Sequence, residues 1–217
     1  MADQALLFVF DPLCGWCYGA APAMARLQAA TSLPIELWPT GLFAAGNARP
    51  MTPAFRDYAW QNDQRIEQLT GQRFTQAYYD QVLSNYSVAF DSWSVTLALH
   101  LIEQAAPGQG LAALHRLQAL RYVDGRDLSQ PTVLADVAES FGLARADFLA
   151  AYADVEQHRA LRIRIDAGQQ LMASLHLHGV PALVSRDGER LAVLPSQLLF
   201  EAGDGMAAWL QAACAPR

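Results

Sequence analysis

The sequence predicts an α/β fold in which a large helical block interrupts a smaller mixed unit. Three features carry this expectation: short β-type runs confined to the two ends of the chain, a long stretch of helical patterning between them, and an Asp-Gly hairpin signal near the C-terminus. In order the chain reads strand, helix, strand, helical block, hairpin, helix. Without the block it is βαβ followed by ββα. A length of 217 residues suits one domain with an insertion. The expected division is residues 1–52 and 178–217 in the mixed unit, and 53–177 in the insertion with its long connecting helix.

Ala5–Phe10 is continuously apolar, the form of a buried strand, and Asp11-Pro12 breaks it. Gly15–Ala30 is rich in small helix formers, with a kink expected at Pro22, which lacks a backbone donor. Pro34–Pro39 sets Ile35 and Leu37 against Glu36 and Trp38 and reads as a second strand. Within the block, Trp93–Gln104 is apolar nearly all round and therefore expected to be buried. Leu111–Tyr122 follows the breaker PGQG. Ser129 is the expected cap of a helix with Pro131 in its first turn and Gly142 at its end. Asp154–Leu177 carries Leu161, Ile165, Gly168, Met172 and Leu175 at helical spacing. Pro181–Arg186, Asp187-Gly188 and Arg190–Leu194 form the hairpin, and Gly205–Ala213 the last helix.

Apolar residues make up 53% of the chain and charged residues 17%, enough for a real core. All 15 basic residues are Arg, and the net charge of −6 comes with no basic run, which argues against nucleic acid as a partner. The N-terminal MADQALLFVFDP has no positive n-region, and its apolar stretch is too short for a signal peptide or a membrane span. A cytoplasmic location is expected, and in that reducing compartment a Cys-x-x-Cys pair is catalytic or metal-binding rather than a structural disulfide.

Two of the 3 cysteines lie in DPLCGWCYG, residues 11–19, at the junction of the first strand and helix. Cysteines three apart on a first helical turn share a face and can bond with little backbone movement. The first meets the positive end of the helix dipole, which favours its thiolate, the attacking species in disulfide exchange. Cys14 is thus the expected nucleophile and Cys17 the more buried resolving thiol. Gly15 leaves backbone open beside the sulfur, and Trp16 offers it apolar surface. Zinc is the competing reading, since His176 and His178 could complete four ligands. It is the weaker one, because zinc knuckles sit on polar turns rather than between a buried strand and an apolar helix.

A second motif, GVPALV, spans Gly179–Val184 and places Pro181 at the start of a strand, where it cannot donate to the ladder. An ordinary strand-edge proline explains it. A cis Val180–Pro181 bond would instead mark a special site. Together, DPLCGWC, the distant GVPALV and the order of elements resemble the thioredoxin superfamily, and more narrowly the DsbA-like oxidoreductases. LTGQRF (69–74), FDSWSVTLALHL (90–101) and GRDLSQPTVLADVAESFGL (125–143) are similar to the cytoplasmic branch near protein disulfide isomerases and FrnE-type proteins. The resemblance implies a thioredoxin-like fold with a DsbA-like helical insertion and a thiol–disulfide oxidoreductase of the isomerase or reductase class. It implies that Pro181 faces the cysteines, with the Val180 backbone pairing with an incoming peptide and Trp16 beside it. His178, next to that loop, is a candidate tuner of the thiolate with Gly15, against a plain helix-end role for His176 and His178. No tightly bound cofactor is implied; the partners are protein or small-molecule disulfides and thiols, with glutathione as a candidate co-substrate.

The sequence departs from the family in two respects. Its Gly15-Trp16 dipeptide is neither the Gly-Pro of reductants nor the Pro-His of the strong periplasmic oxidant, which leaves the direction of electron flow open. Where a buried acid often stands, six positions before the first cysteine, it has Phe8, and the nearby Asp11 lies past the strand. Proton relay to Cys17 is left unassigned. Two other functions compete: a glutathione-dependent isomerase or transferase of the kappa-like kind, which needs no resolving thiol, and a chaperone-like module with the dithiol as redox sensor. His100 is expected as a core histidine, His115 and His158 on solvated faces, and Trp38, Trp60, Trp93 and Trp209 in packing. Cys214 is read as a small apolar residue, and Phe43 as a companion of Trp16 in a cleft.

Overall fold

The computed structural model describes residues 4–200. The expected last helix, with Trp209 and Cys214, lies outside them. Four strands form one mixed sheet: β1 (Gln4–Phe10), β2 (Ile35–Pro39), β3 (Ala182–Asp187) and β4 (Arg190–Val193), in the spatial order β2-β1-β3-β4. β1 runs parallel to β2 and antiparallel to β3, with Phe8 opposite Leu37 on one side and Leu183 on the other. As a central strand β1 is buried from Ala5 to Phe10, which explains its unbroken apolar run. The β3–β4 hairpin turns through Gly188, whose φ of 59° is the left-handed conformation such a turn requires.

The kink at Pro22 is resolved as two helices, α1 (Gly15–Gly19) and α2 (Ala21–Ala30), joined at Ala20 with Pro22 in the first turn of the second. Between β2 and β3 lie α3 (Pro53–Thr70), α4 (Gln76–Tyr78) running into a π-helical turn at Tyr79–Leu83, α5 (Trp93–Ala105), α6 (Gly110–Tyr122), α7 (Pro131–Ser140), α8 (Arg145–Ala153) and α9 (Val155–Ser174). α5 is buried continuously from Val95 to Ile102 and forms the centre of this block. The cap of α7 departs from expectation. It is Gln130, with no side-chain cap, because Ser129 is drawn into a turn in which its N–H donates to Asp127 Oδ1 at 2.9 Å.

Strand alternation divides the interior in two. Leu6, Phe8 and Phe10 face the large core shared with the helical block. Ala5, Leu7 and Val9 face a smaller core closed by Leu171, Met172 and Leu175 of α9. α9 can lie this close because Gly168 rests on the Pro39 carbonyl, where a Cβ would clash. The sheet and the block therefore pack as one body around the start of α1.

Candidate active site

Cys14 is the N-cap of α1 and Cys17 lies in its first turn, as the spacing requires. Both are free thiols. Cys14 is 8% exposed and lines a cleft; Cys17 is 1% exposed and enclosed. Burial pushes the Cys17 thiol well above the usual thiol range, helped by a hydrogen bond with Cys14 and by that group's charge, while a backbone hydrogen bond with Asp11 works the other way. Of the two, only Cys14 is placed to meet a second molecule.

The Val180–Pro181 bond is cis, and the Cys14 thiol donates to the Val180 carbonyl at 3.7 Å across 166 positions of sequence. Trp16 forms the wall between two clefts. One, of about 270 Å³, runs from Cys14 towards the helical block past Phe43, Phe55, Tyr58 and Asp63. The other, of about 550 Å³, is bounded by Trp16, Leu69, Val180, Pro181 and Phe200, the last meeting Trp16 edge-on at 5.2 Å. The residues singled out from the two motifs thus converge, except for His178, which is exposed and not among those lining either cleft. His176 is exposed as well. Among the described residues no group of three or more His, Cys, Asp or Glu is arranged to hold a metal.

Phe8 is buried in the large core, stacked on Phe10 at 5.6 Å. Asp11, fully buried, is more than a strand breaker. Its Oδ1 accepts from the Leu13 N–H at 2.9 Å, and its Oδ2 accepts from the Ser92 hydroxyl at 2.8 Å and the Phe43 N–H at 3.2 Å. It ties the turn before Cys14 to the loop carrying Phe43 and to the start of α5. Burial raises its pKa, opposed by those three hydrogen bonds. The Tyr122 hydroxyl donates to the Leu13 carbonyl at 2.8 Å, fixing the same turn from α6.

Sequence reasoning missed Asp63. It sits on α3 beside Gly15, and a Cβ at residue 15 would run into its Oδ1. Its Oδ2 accepts from the Tyr78 hydroxyl at 3.1 Å, and the Arg121 guanidinium stacks over the Tyr78, Phe90 and Tyr122 rings at 5.0–5.9 Å. Burial pushes the Asp63 carboxyl up to about 7, against the pull of the Tyr78 bond and the Arg121 charge. Gly15 therefore makes room for a carboxyl from the insertion, a role its neighbours in sequence do not reveal.

Three histidines are accounted for elsewhere. His100 is buried in α5 beside Gln104 and Arg164. His115 and His158 do not lie on solvated faces. Burial drives His115 down to about 4, and His158 takes a hydrogen bond from the Trp93 indole at 3.0 Å while its other nitrogen meets the Tyr152 carbonyl.

The profile of the DSBA-like thioredoxin domain matches residues 5–202. The chain belongs to this family. Its fold is the DsbA-like thioredoxin fold with a helical insertion. Among solved structures it is similar to the cytosolic disulfide reductase DsbM from Pseudomonas aeruginosa, at 32% identity and a TM-score of 0.81, covering 96% of this chain and 98% of that one. A second structure of DsbM, with GSH, matches with a TM-score of 0.80 at the same identity and coverage. A Nitrosomonas europaea protein, 20% identical, shares the fold with a TM-score of 0.78 over 98% of this chain and 99% of its own. None of the curated proteins matches the sequence. Among the described residues no helix is long and apolar enough to cross a membrane.

Proposed function

We propose that this protein is a thiol–disulfide oxidoreductase acting through CGWC in the reductive direction, with Cys14 as nucleophile and Cys17 as resolving thiol. The observation that carries the assignment of roles is the asymmetry of the pair, with Cys14 on the wall of a cleft and Cys17 enclosed and hard to ionise. The reductive direction rests on the likeness to the disulfide reductase DsbM at 32% identity. The Cys14 thiolate attacks a substrate disulfide, a mixed disulfide forms at Cys14, and one substrate sulfur leaves. Cys17 then loses its proton and attacks Cys14 Sγ, releasing the second sulfur and leaving the Cys14–Cys17 disulfide. In the mixed disulfide Cys14 is no longer an anion, so the charge that opposes Cys17 ionisation is gone when Cys17 must react. The Val180 carbonyl beside Cys14 and the apolar wall of Trp16 and Pro181 suit an extended peptide bearing the disulfide.

Glutathione is the proposed electron donor, supported by the likeness to DsbM, which has been solved with GSH, at 32% identity. A cytosolic setting is proposed on the same likeness. The test is trapping. Cys17→Ala, mixed with a peptide disulfide, is expected to accumulate one mixed disulfide at Cys14, seen by mass, while Cys14→Ala forms none. Cys17→Ser turning over at the full rate of the parent would contradict the dithiol mechanism and favour a monothiol, glutathione-dependent reaction.

A further inference from the structure

The exchange at Cys14 releases a thiolate, and an alkyl thiolate, the more basic leaving group, departs more slowly than an aromatic one, so a proton delivered as it leaves speeds the step. Phe8 stands where a carboxyl could have been in the strand, and Asp11 has both carboxyl oxygens engaged behind the Cys14 turn. Asp63 is different. Its Oδ2 is held by Tyr78, while its Oδ1 lies against Gly15, the residue next to Cys14, in the cleft that Cys14 lines.

Resting on the thiol-exchange reading, we propose that Asp63 is the proton donor to the leaving thiol at Cys14, delivered by the helical insertion rather than by the thioredoxin unit. As the Cys14 Sγ–substrate sulfur bond forms, the substrate S–S bond breaks. The departing sulfur takes the Asp63 proton and leaves as a neutral thiol, and the carboxylate regains a proton from water in the cleft. No further oxidant or reductant enters this step. In the reverse direction the same carboxylate takes the proton of an incoming thiol.

The surroundings suit a group that holds a proton near neutrality. From α4, Tyr78 donates to the carboxyl; from α6, Arg121 stacks over the Tyr78 ring at 5.5 Å; from the α1 side come Gly15 and Cys14; Arg49 and Tyr58 lie further along the cleft. Burial outweighs the nearby guanidinium and sets the carboxyl at about 7. A neutral Asp63 also places no negative charge beside the Cys14 thiolate.

The test compares two small disulfides in single turnovers of the reduced full-length protein: bis(2-hydroxyethyl) disulfide, whose basic leaving thiol gains from a proton, and 5,5′-dithiobis(2-nitrobenzoate), whose acidic leaving thiol gains little. Taking the ratio of the two rates cancels the ionisation of Cys14. In the parent protein the alkyl-to-aromatic ratio is expected to fall about tenfold between pH 6 and 8, following the acid form of Asp63. In Asp63→Asn the ratio is expected to start at least tenfold lower and to be flat with pH. Tyr78→Phe removes a bond to the ionised carboxyl and is expected to move the fall to higher pH, which serves even if Asp63→Asn folds poorly. An equal loss for both disulfides in Asp63→Asn, or a fall that Tyr78→Phe leaves in place, would overturn the proposal and leave the exchange reading intact. A parent protein that reacts with neither disulfide would overturn both.

Discussion

Asp63 carries two consequences that pull against each other. The folded state holds its proton up to about 7, whereas the unfolded chain releases it near the ordinary 3.8. Between those values folding takes up a proton, so this contribution lowers stability as pH rises and is fully unfavourable above about 7. Asp63→Asn keeps an acceptor for the Tyr78 hydroxyl and has no charge to desolvate. Urea titrations are expected to show it more stable than the parent at pH 8, by on the order of 2–4 kcal/mol, with the gap closing towards pH 4. A protein that gains stability while losing alkyl-disulfide exchange would show a site kept at the expense of stability. The pKa of Asp11 is also raised by burial, but the residue differs in what its removal leaves behind. Asp11→Ala strands the Leu13, Phe43 and Ser92 donors in a buried place, and its stability in urea titration is expected to fall by on the order of 3 kcal/mol.

At the scale of elements, local patterns made most of the fold legible. β1 reads as buried because it is the central strand, α5 because eight successive residues are enclosed, and α9 because its stripe closes the second face of the sheet. The failures have one physical origin, that tertiary contact decided what local chemistry left open. Ser129 looks like a cap until Asp127 captures its N–H. Asp63 sits in PAFRDYAWQNDQRIEQLT, a polar helix in which it resembles any solvated carboxylate. Only the packing of α3 on α1 turns it towards Gly15, 48 positions away. CGWC could be singled out as a candidate because two thiols three positions apart at a strand-to-helix junction are visible in its own spacing. The carboxyl opposite could not, since nothing in its neighbours marks it. Gly168 gives a test at this scale. Gly168→Ala sets a methyl against the Pro39 carbonyl and should force α9 off β2, costing about 1–3 kcal/mol in urea titration, with Cys14 exchange intact.

Over the whole molecule, the helical block and the sheet meet at the start of α1. The thioredoxin unit supplies the dithiol and the Val180–Pro181 wall; the insertion supplies Asp63, Tyr78, Arg121 and the Tyr122 bond to the Cys14 turn. Acid should weaken the block that holds these groups. Burial lowers both His100 and His115 to about 4, so the folded state keeps them neutral where the unfolded chain would charge them. Their contribution is full above the ordinary 6.5 and is lost as pH falls towards 4. Asp63 works the other way over the same interval but is common to parent and variant, so the measurement is the difference between them. The urea-titration stability of His115→Leu relative to the parent is expected to rise as pH falls from 6.5 towards 4.

The central claim, a working Cys14–Cys17 couple, is tested most directly by equilibrating the protein in graded glutathione buffers, alkylating free thiols and counting them by mass. A reductase is expected to show one two-electron transition confined to Cys14 and Cys17, with a midpoint near the cytosolic poise of roughly −220 to −320 mV. If no buffer yields a Cys14–Cys17 disulfide, the dithiol mechanism is wrong. The asymmetry of the two thiols would then serve some other chemistry at Cys14.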